Sequence, residues 1–351
     1  MVTRFEQALE FLRNIKPSDG VVIIYNDDAD GICSCVIIRK YLASVGVEPY
    51  IIAQPMPPDK QLLRRVQSGA PNKIIWLDMA IDQTPTLVQR MASFAEQLVV
   101  DHHVILNDLS KIKNVIHHNP RFKQKGMYQS TTYLAWKLAA ELLKDDLVWI
   151  AGIGAVADYD LRWSRDLVEE FDRRWGMATF QKLANMMESV CTTKALGYDQ
   201  LVERLLKAEG PEELLEDEVF KKSDKSVQAE IDSALADAET SGELVNGIFF
   251  YQPKTKYNIK SAISGKLSER WPNRLIFVYG KVNNNINASV RSAGGRYNLS
   301  IILKDASKGI KGASAGGHEA AGGGTIPFEE WEDFKLRLID AAAKYKKEKG
   351  D

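Results

Sequence analysis

Cysteine is scarce in this chain: Cys33, Cys35 and Cys191 are the three among 351 residues. That is too few for a disulfide framework, so any core must come from packing, and the usage fits a reducing cytoplasmic setting. Long apolar runs are also missing. No stretch reaches the roughly 18 residues that a membrane span needs, which excludes a membrane-spanning function. The opening MVTRFEQALEFLRNIKP reads as an amphipathic helix, not as a signal peptide. Histidine is limited to five residues, His102, His103, His117, His118 and His318, so their placement carries information. Cys33 and Cys35, spaced C-x-C, are too close for a zinc knuckle by themselves and read as packing residues.

The chain does have the 45% hydrophobic and 26% charged content of an ordinary globular protein. Its length implies about two domains. Net charge is −1, unevenly spread: Lys254 to Lys311 holds twelve Lys and Arg against two acidic residues, Glu269 and Asp305. A solvated lysine face explains this, and so does a polyanion-binding module. Short β-branched runs alternate with helical segments over the first hundred residues: strands at 21–25, 47–55, 73–78 and 97–103, helices at 32–46, 60–69 and 84–96. This alternation predicts βαβ units and a parallel sheet. Residues 130–160 and 163–240 read as mostly helical. From 246 the pattern becomes mixed α/β, followed by the glycine-rich GIKGASAGGHEAAGGGTI and a final helix from about 328.

The stretch IIYNDDADGICSCVII (23–38) runs a buried strand into three carboxylates. Ligands of parallel sheets collect at the carboxyl ends of strands. Asp28 and Asp30 follow one such strand, Asp78 a second and Asp101 a third, and Asp158 closes an apolar helix. Each alone reads as a cap or turn aspartate. Several at one sheet edge repel one another unless cations neutralise them. Carboxylates with imidazole and no thiolate suit Mn²⁺ or Mg²⁺, and imidazole tilts the choice to Mn²⁺. Two metals sharing a bridging carboxylate would serve phosphoester hydrolysis. His102 and His103 are expected on opposite sides of an extended chain, so that at most one is a direct ligand. GASAGGHEAAGGG (312–324) is a phosphate-cradle candidate, with a flexible loop as the plain alternative.

The ordered set YNDDADG, LDMA, VVDHH, GAVADYD and GGHEAAGG resembles the motifs of the DHH phosphoesterase superfamily, and GGHEAAGG with Arg291-Ser292 resembles its DHHA1 subfamily. The resemblance implies an α/β protein with an N-terminal parallel-sheet DHH domain, a smaller C-terminal α/β DHHA1 domain and an active site in the cleft between them. The expected limits are 1–185 for the DHH domain, 186–240 for a helical connector and 241–351 for the DHHA1 domain. It further implies metal ligands Asp28, Asp30, Asp78 (bridging), His102 and Asp158, with Asp101 and His103 supporting the site or facing substrate. Asn26 stands where many members carry Asp or His, which leaves its role open. Arg291, Ser292, Gly316, Gly317 and His318 match residues that hold the substrate phosphate. Two Mn²⁺ ions are the expected cofactor, with Mg²⁺ or Co²⁺ as substitutes.

The compact size resembles archaeal RecJ-like proteins. The reading favoured is a single-strand-specific exonuclease on DNA or RNA ends, releasing mononucleotides, with 3′→5′ polarity known among such relatives. A nanoRNase or cyclic-dinucleotide phosphodiesterase acting on short oligonucleotides is the alternative. A replication or repair scaffold is a third reading, disfavoured because the ligand set is intact. Replication or repair proteins are expected as docking partners of an active enzyme, and no membrane is. An inorganic pyrophosphatase is least favoured, because such a protein is expected to lack the GGH signature.

Overall fold

A computed structural model describes residues 2–346; the expected domain limits at residues 1 and 351 lie outside them. The chain divides into two compact units, Met1–Asp224 and Lys225–Asp351. No helix among the described residues is long and apolar enough to cross a membrane.

The first unit begins with α1 (Arg4–Arg13), β1 (Val21–Tyr25), α2 (Ala29–Ser44), β2 (Tyr50–Ala53), α3 (Leu62–Ser68), β3 (Lys73–Leu77), α4 (Pro85–Met91), β4 (Glu96–Val100) and β5 (Val115–His118). The five strands are all parallel, in the order β2-β1-β3-β4-β5. Every residue of β1 and β3 is buried, which a sheet permits only when both faces are covered. Alternation divides the work. Ile23, Tyr25, Ile75, Leu77, Leu98 and Val100 pack in one core with α1 and α2; Val22, Ile24, Ile74, Trp76 and Val99 pack in another with α3 and α4. Cys33 and Cys35 are buried in the first of these cores. β5 has no counterpart in the sequence reading, because VIHH is four residues long and half histidine. Its edge is tied by Arg4, which donates to the His117 carbonyl at 3.0 Å, pairs with Asp108 at 2.8 Å and lies 3.6 Å over the Phe122 ring.

Helices α5 (Thr131–Ala140), α6 (Val148–Ala157), α7 (Arg165–Trp175), α8 (Met177–Thr193), α9 (Tyr198–Lys207) and α10 (Pro211–Glu216) follow, and α11 (Glu218–Ser241) runs across the division. Phe171, Phe180, Leu201, Leu205, Leu214 and Phe220 all join the core that covers the α2 face. The second unit continues with β6 (Glu243–Val245), β7 (Ile248–Tyr251), α12 (Lys260–Arg270), β8 (Leu275–Val282), β9 (Asn285–Arg291), α13 (Leu299–Ser307), β10 (Ser314–Gly317), β11 (Ala321–Pro327) and α14 (Trp331–Lys344). Its sheet runs β10-β11-β9-β8-β7-β6 and is antiparallel except between β7 and β8. The glycine-rich stretch is therefore not a loop. It forms a hairpin, in which Gly316 pairs with Gly323 and Gly317 with Gly322.

One glycine fixes how closely two helices meet near the sheet edge. A Cβ on Gly154 of α6 would stand 2.2 Å from Thr132 Oγ1, in the first turn of α5. Thr132 is fully buried and has nowhere to retreat. Gly154→Ala gains about 1 kcal/mol of helix propensity but overpacks a closed site at about 1–3 kcal/mol. The clash is expected to win, lowering the urea midpoint; a midpoint at or above wild type would contradict this packing.

Candidate metal centre

The sheet order reverses between β1 and β3, and the crevice beyond the carboxyl ends at such a switch point is where open α/β sheets bind ligands. Asp28 is the N-cap of α2, its Oδ1 accepting the Gly31 N–H at 2.9 Å. Gly31 is required there because a Cβ would meet the Asn26 carbonyl at 2.2 Å. Asp30, buried in the first turn of α2, accepts the N–H groups of Thr131 and Thr132, each at 2.8 Å. The N-terminus of α5 thus points its positive end at this carboxylate. Asp78 follows β3 with φ 60°, and its N–H donates to the Val100 carbonyl at 3.1 Å. A left-handed non-glycine residue costs about 1–2 kcal/mol, a strain that persists where surrounding structure over-determines it and is concentrated at functional sites.

The expected arrangement of the two histidines is corrected here. β4 ends at Val100, so residues 101–103 are not extended strand and pleat alternation does not apply. The rings of His102 and His103 meet edge to face at 4.6 Å. His102 Nε2 lies 3.2 Å from Asp78 Oδ1 and 4.0 Å from Asp30 Oδ2, and its Nδ1 lies 3.5 Å from Asp158 Oδ2. Two groups of potential ligands result, Asp78-His102-His103 and Asp30-His102-Asp158, each with donor atoms within 4.8 Å of one another. His102 belongs to both. Asp28 belongs to neither, its Oδ2 accepting from the Asn26 amide at 2.6 Å. The same amide reaches Asp78 Oδ2 at 3.3 Å, acting as a hydrogen-bond donor between two carboxylates. Asp101 is buried and holds His103 Nδ1 at 2.7 Å. Asp27 turns to α9 and accepts from the Tyr198 hydroxyl at 2.9 Å.

Electrostatics here are set by burial first and by mutual repulsion second. Burial and the charges of Asp28 and Asp30 push Asp78 well above the usual carboxylate range. Burial and Asp30 raise Asp158 to about 8. Asp28 is raised by burial and by Asp30. Burial works against a charged His103, but the bond and charge of Asp101, helped by Asp78, raise it. His102 Nδ1 is buried without a hydrogen-bond partner. Carboxylates that resist ionisation together, beside an imidazole nitrogen without a donor, fit a divalent cation, and the oxygen and nitrogen donors suit Mn²⁺ or Mg²⁺.

Several supporting residues escaped the sequence reading. Thr131 Oγ1 donates to Asp78 at 3.2 Å, Tyr128 OH to Asp158 Oδ2 at 2.9 Å, and Asn119 to Asp101 at 3.3 Å. Ser-Thr-Thr opening a helix was the available signal, since such a cap offers free N–H groups to an anion. His117 and His118 are structural: they pack edge-on against Phe122 and Phe5, and burial drives His118 down to about 4. In the second unit, Arg291 at the end of β9 pairs with Ala321, Ser292 N–H donates to the Ala320 carbonyl at 3.0 Å, and His318 N–H donates to the Ala321 carbonyl at 2.7 Å. Arg291, Ser292, Gly317 and His318 thus share one end of that sheet, with Gly316 one position further along β10.

Asp residues titrate near 3.9 when unperturbed. With Asp158 at about 8 and Asp78 and Asp28 also raised, the folded state binds more protons than the unfolded chain between about pH 4 and 8. These groups therefore make stability fall as pH rises through that window. A cation competes with the same protons. At a fixed Mn²⁺ concentration, the thermal shift relative to EDTA is expected to grow from pH 5.5 to 8.5, reaching about 2.7 kcal/mol where Mn²⁺ is a hundred times its Kd. An increment independent of pH would contradict the arrangement.

The DHH family, N-terminal domain, matches residues 20–155, and the DHHA1 domain matches residues 245–345. No curated protein gives a significant sequence match. Among solved structures, exonuclease RecJ bound to manganese has a TM-score of 0.70 at 16% identity, over 98% of this chain and 96% of that one. The DHH domain of a member of the s1p family of ribosomal proteins has a TM-score of 0.79 at 16% identity, over 98% and 91%. The pGpG-specific phosphodiesterase of Vibrio cholerae has a TM-score of 0.53 at 15% identity, over 93% and 99%. At these identities the likeness is one of fold. The two domain matches fall in the two compact units, and the chain belongs to the DHH superfamily, a DHH N-terminal domain followed by a DHHA1 domain.

Proposed function

We propose that the protein is a divalent-metal-dependent phosphodiesterase that removes mononucleotides from the ends of single-stranded DNA or RNA. The observation that carries this reading is the pair of ligand groups meeting at His102. Asp30, Asp78, His102 and Asp158 would hold the ions, with Asp28 and Asn26 bracing the edge. Bound there, Mn²⁺ would polarise a phosphate oxygen and lower the pKa of water. The chain's own groups do the positioning. The amide ends of α5 hold Asp30, Thr131 steadies Asp78, and Tyr128 steadies Asp158. Asp101 orients His103 and keeps it charged at higher pH, which leaves its other nitrogen able to donate to a phosphate oxygen or to the leaving group.

Polynucleotide substrates are supported by the DHHA1 half. Its basic segment suits a phosphate backbone. A hollow of about 500 Å³ lies against the sheet, lined by Lys260, Ser261, Asn287, Ser289, Gly316 and Thr325 among others and by no carboxylate. A polar lining with a cation and no acid favours an anionic ligand of nucleotide size. Arg291, Ser292, Gly317 and His318 at the sheet end would take the phosphate. Within the same basic segment Arg270 is paired with Glu239, while Lys260 lines the hollow. The runner-up is a phosphodiesterase confined to short oligonucleotides or cyclic dinucleotides, favoured by the fold shared with the pGpG-specific enzyme. A scaffold without activity has no need of the buried carboxylates.

Strands of 2 to 30 nucleotides, labelled at either end and incubated with Mn²⁺, Mg²⁺ or EDTA, separate these readings. A ladder shortening from one end is expected with Mn²⁺. Cleavage confined to the shortest oligomers would favour the runner-up, and no cleavage with any metal would overturn both. Asp78→Ala is expected to cost at least ~10³-fold in kcat with the circular dichroism spectrum unchanged. His318→Ala should act mainly on KM; wild-type kinetics would remove the hairpin end from the site.

A further inference from the structure

Two loops of the first unit meet beside the carboxylate cluster: residues 119–130, between β5 and α5, and residues 158–164, between α6 and α7. Tyr128 OH donates to Asp158 Oδ2 at 2.9 Å, Gln129 Nε2 to the Trp163 carbonyl at 3.1 Å, and Ser130 N–H to Asp160 Oδ2 at 2.7 Å. Arg121 links the first loop to the histidine pair, since its Nε donates to the His102 carbonyl at 2.7 Å and its guanidinium stands 5.9 Å over the Tyr128 ring.

The first of these loops carries only positive charge, whereas residues 158–164 carry Arg162 beside Asp158 and Asp160. From residue 109 to residue 140 there are six Lys and Arg and no Asp or Glu. Lys123 and Lys125 are exposed, as is Arg162, whose guanidinium lies 5.7 Å over the half-buried Trp163 ring. The neighbouring buried cluster is acidic, so the positive charge on this rim is not spread evenly over the unit.

Tyr159 is the unexplained residue. Helix α6 ends with Tyr159 N–H on the Val156 carbonyl at 3.1 Å and Asp160 N–H on the Ala155 carbonyl at 2.8 Å. Those two bonds define a cap whose left-handed position favours glycine. Here a tyrosine occupies it, at φ 56°, and the residue is 88% exposed. Folding gains nothing from a large ring held in water at a backbone position that disfavours it. Tyr159 directly follows Asp158, one of the candidate ligands, in the chain.

We propose that these two loops form a strand-holding rim on the DHH domain. Tyr159 stacks on a base of the single strand whose phosphodiester lies at the carboxylate cluster, and Lys123, Lys125 and Arg162 take flanking phosphates. A row of cations interleaved with an exposed ring is the arrangement by which single strands are held without sequence preference. The proposal rests on the polynucleotide reading and places part of strand binding on the catalytic half, in addition to the basic DHHA1 segment.

Binding of a 20-nucleotide phosphorothioate-linked strand, followed by fluorescence anisotropy with Mn²⁺ across a salt series, tests it. Tyr159→Gly removes the ring and suits the backbone, so its Tm should equal or exceed that of wild type while affinity falls about 5- to 150-fold. Tyr159→Phe should keep affinity within about twofold, because the ring face is what stacks. The double variant Lys123→Ala/Lys125→Ala should reduce the slope of log affinity against log salt by about 1.4. Wild-type affinity in Tyr159→Gly together with an unchanged salt slope in the double variant would overturn the rim. If the wild type binds no strand at all, the polynucleotide reading fails first and the rim fails with it.

Discussion

The structure of the first unit turns on the repulsion among carboxylates gathered, out of water, at the switch point of a parallel sheet. Asp28 follows β1, Asp78 follows β3, and Asp30 and Asp158 arrive from helices that pack on the same face. Burial first, and the charges of neighbouring carboxylates second, make Asp28, Asp78 and Asp158 poor places for a negative charge. The fold invests in holding them nonetheless. A left-handed backbone carries Asp78, a glycine lets α2 start against Asn26, and a second glycine lets α6 close on the turn that grips Asp30. Such features weaken a fold and are retained where a ligand repays them.

Hydrogen bonding around the cluster is graded. Asp30 is held on both oxygens by main-chain N–H groups, and Asp101 by a ring nitrogen and an amide. Asp158 has a single phenol, and His102 Nδ1, 3.5 Å from Asp158 Oδ2, has no hydrogen-bond partner among the described residues. Asp30 and Asp101 are therefore oriented by the protein, and Asp30 keeps lone pairs for an ion beside His102 and Asp158. His102 is common to both groups of potential ligands.

Much of this was legible in the sequence because it depends on strand ends. Short β-branched runs closing on aspartate mark the edge of a parallel sheet whatever the rest of the chain does, and Asp28, Asp30 and Asp78 could be placed from that, with Asp158 read from the end of an apolar helix. Other features were set by contacts far apart in sequence. Thr131 meets Asp30 across 101 residues, a distance that no local pattern spans. The relation of His102 to His103 was misread because the strand period was carried past Val100, where the chain turns. The glycine-rich hairpin was hidden for the opposite reason. Glycine weakens any strand signal, and its pairing comes from register with β9 across the sheet.

The account depends most directly on the claim that the cluster is neutralised by protons until a cation replaces them. Proton release on Mn²⁺ binding measures this without reference to any substrate. Calorimetric titration of the metal-free protein with Mn²⁺ at pH 7, in two buffers of different ionisation enthalpy, is predicted to show about one proton or more released per protein, with apparent affinity rising as pH rises. Equal enthalpies in the two buffers, with an affinity that does not depend on pH, would contradict the central claim.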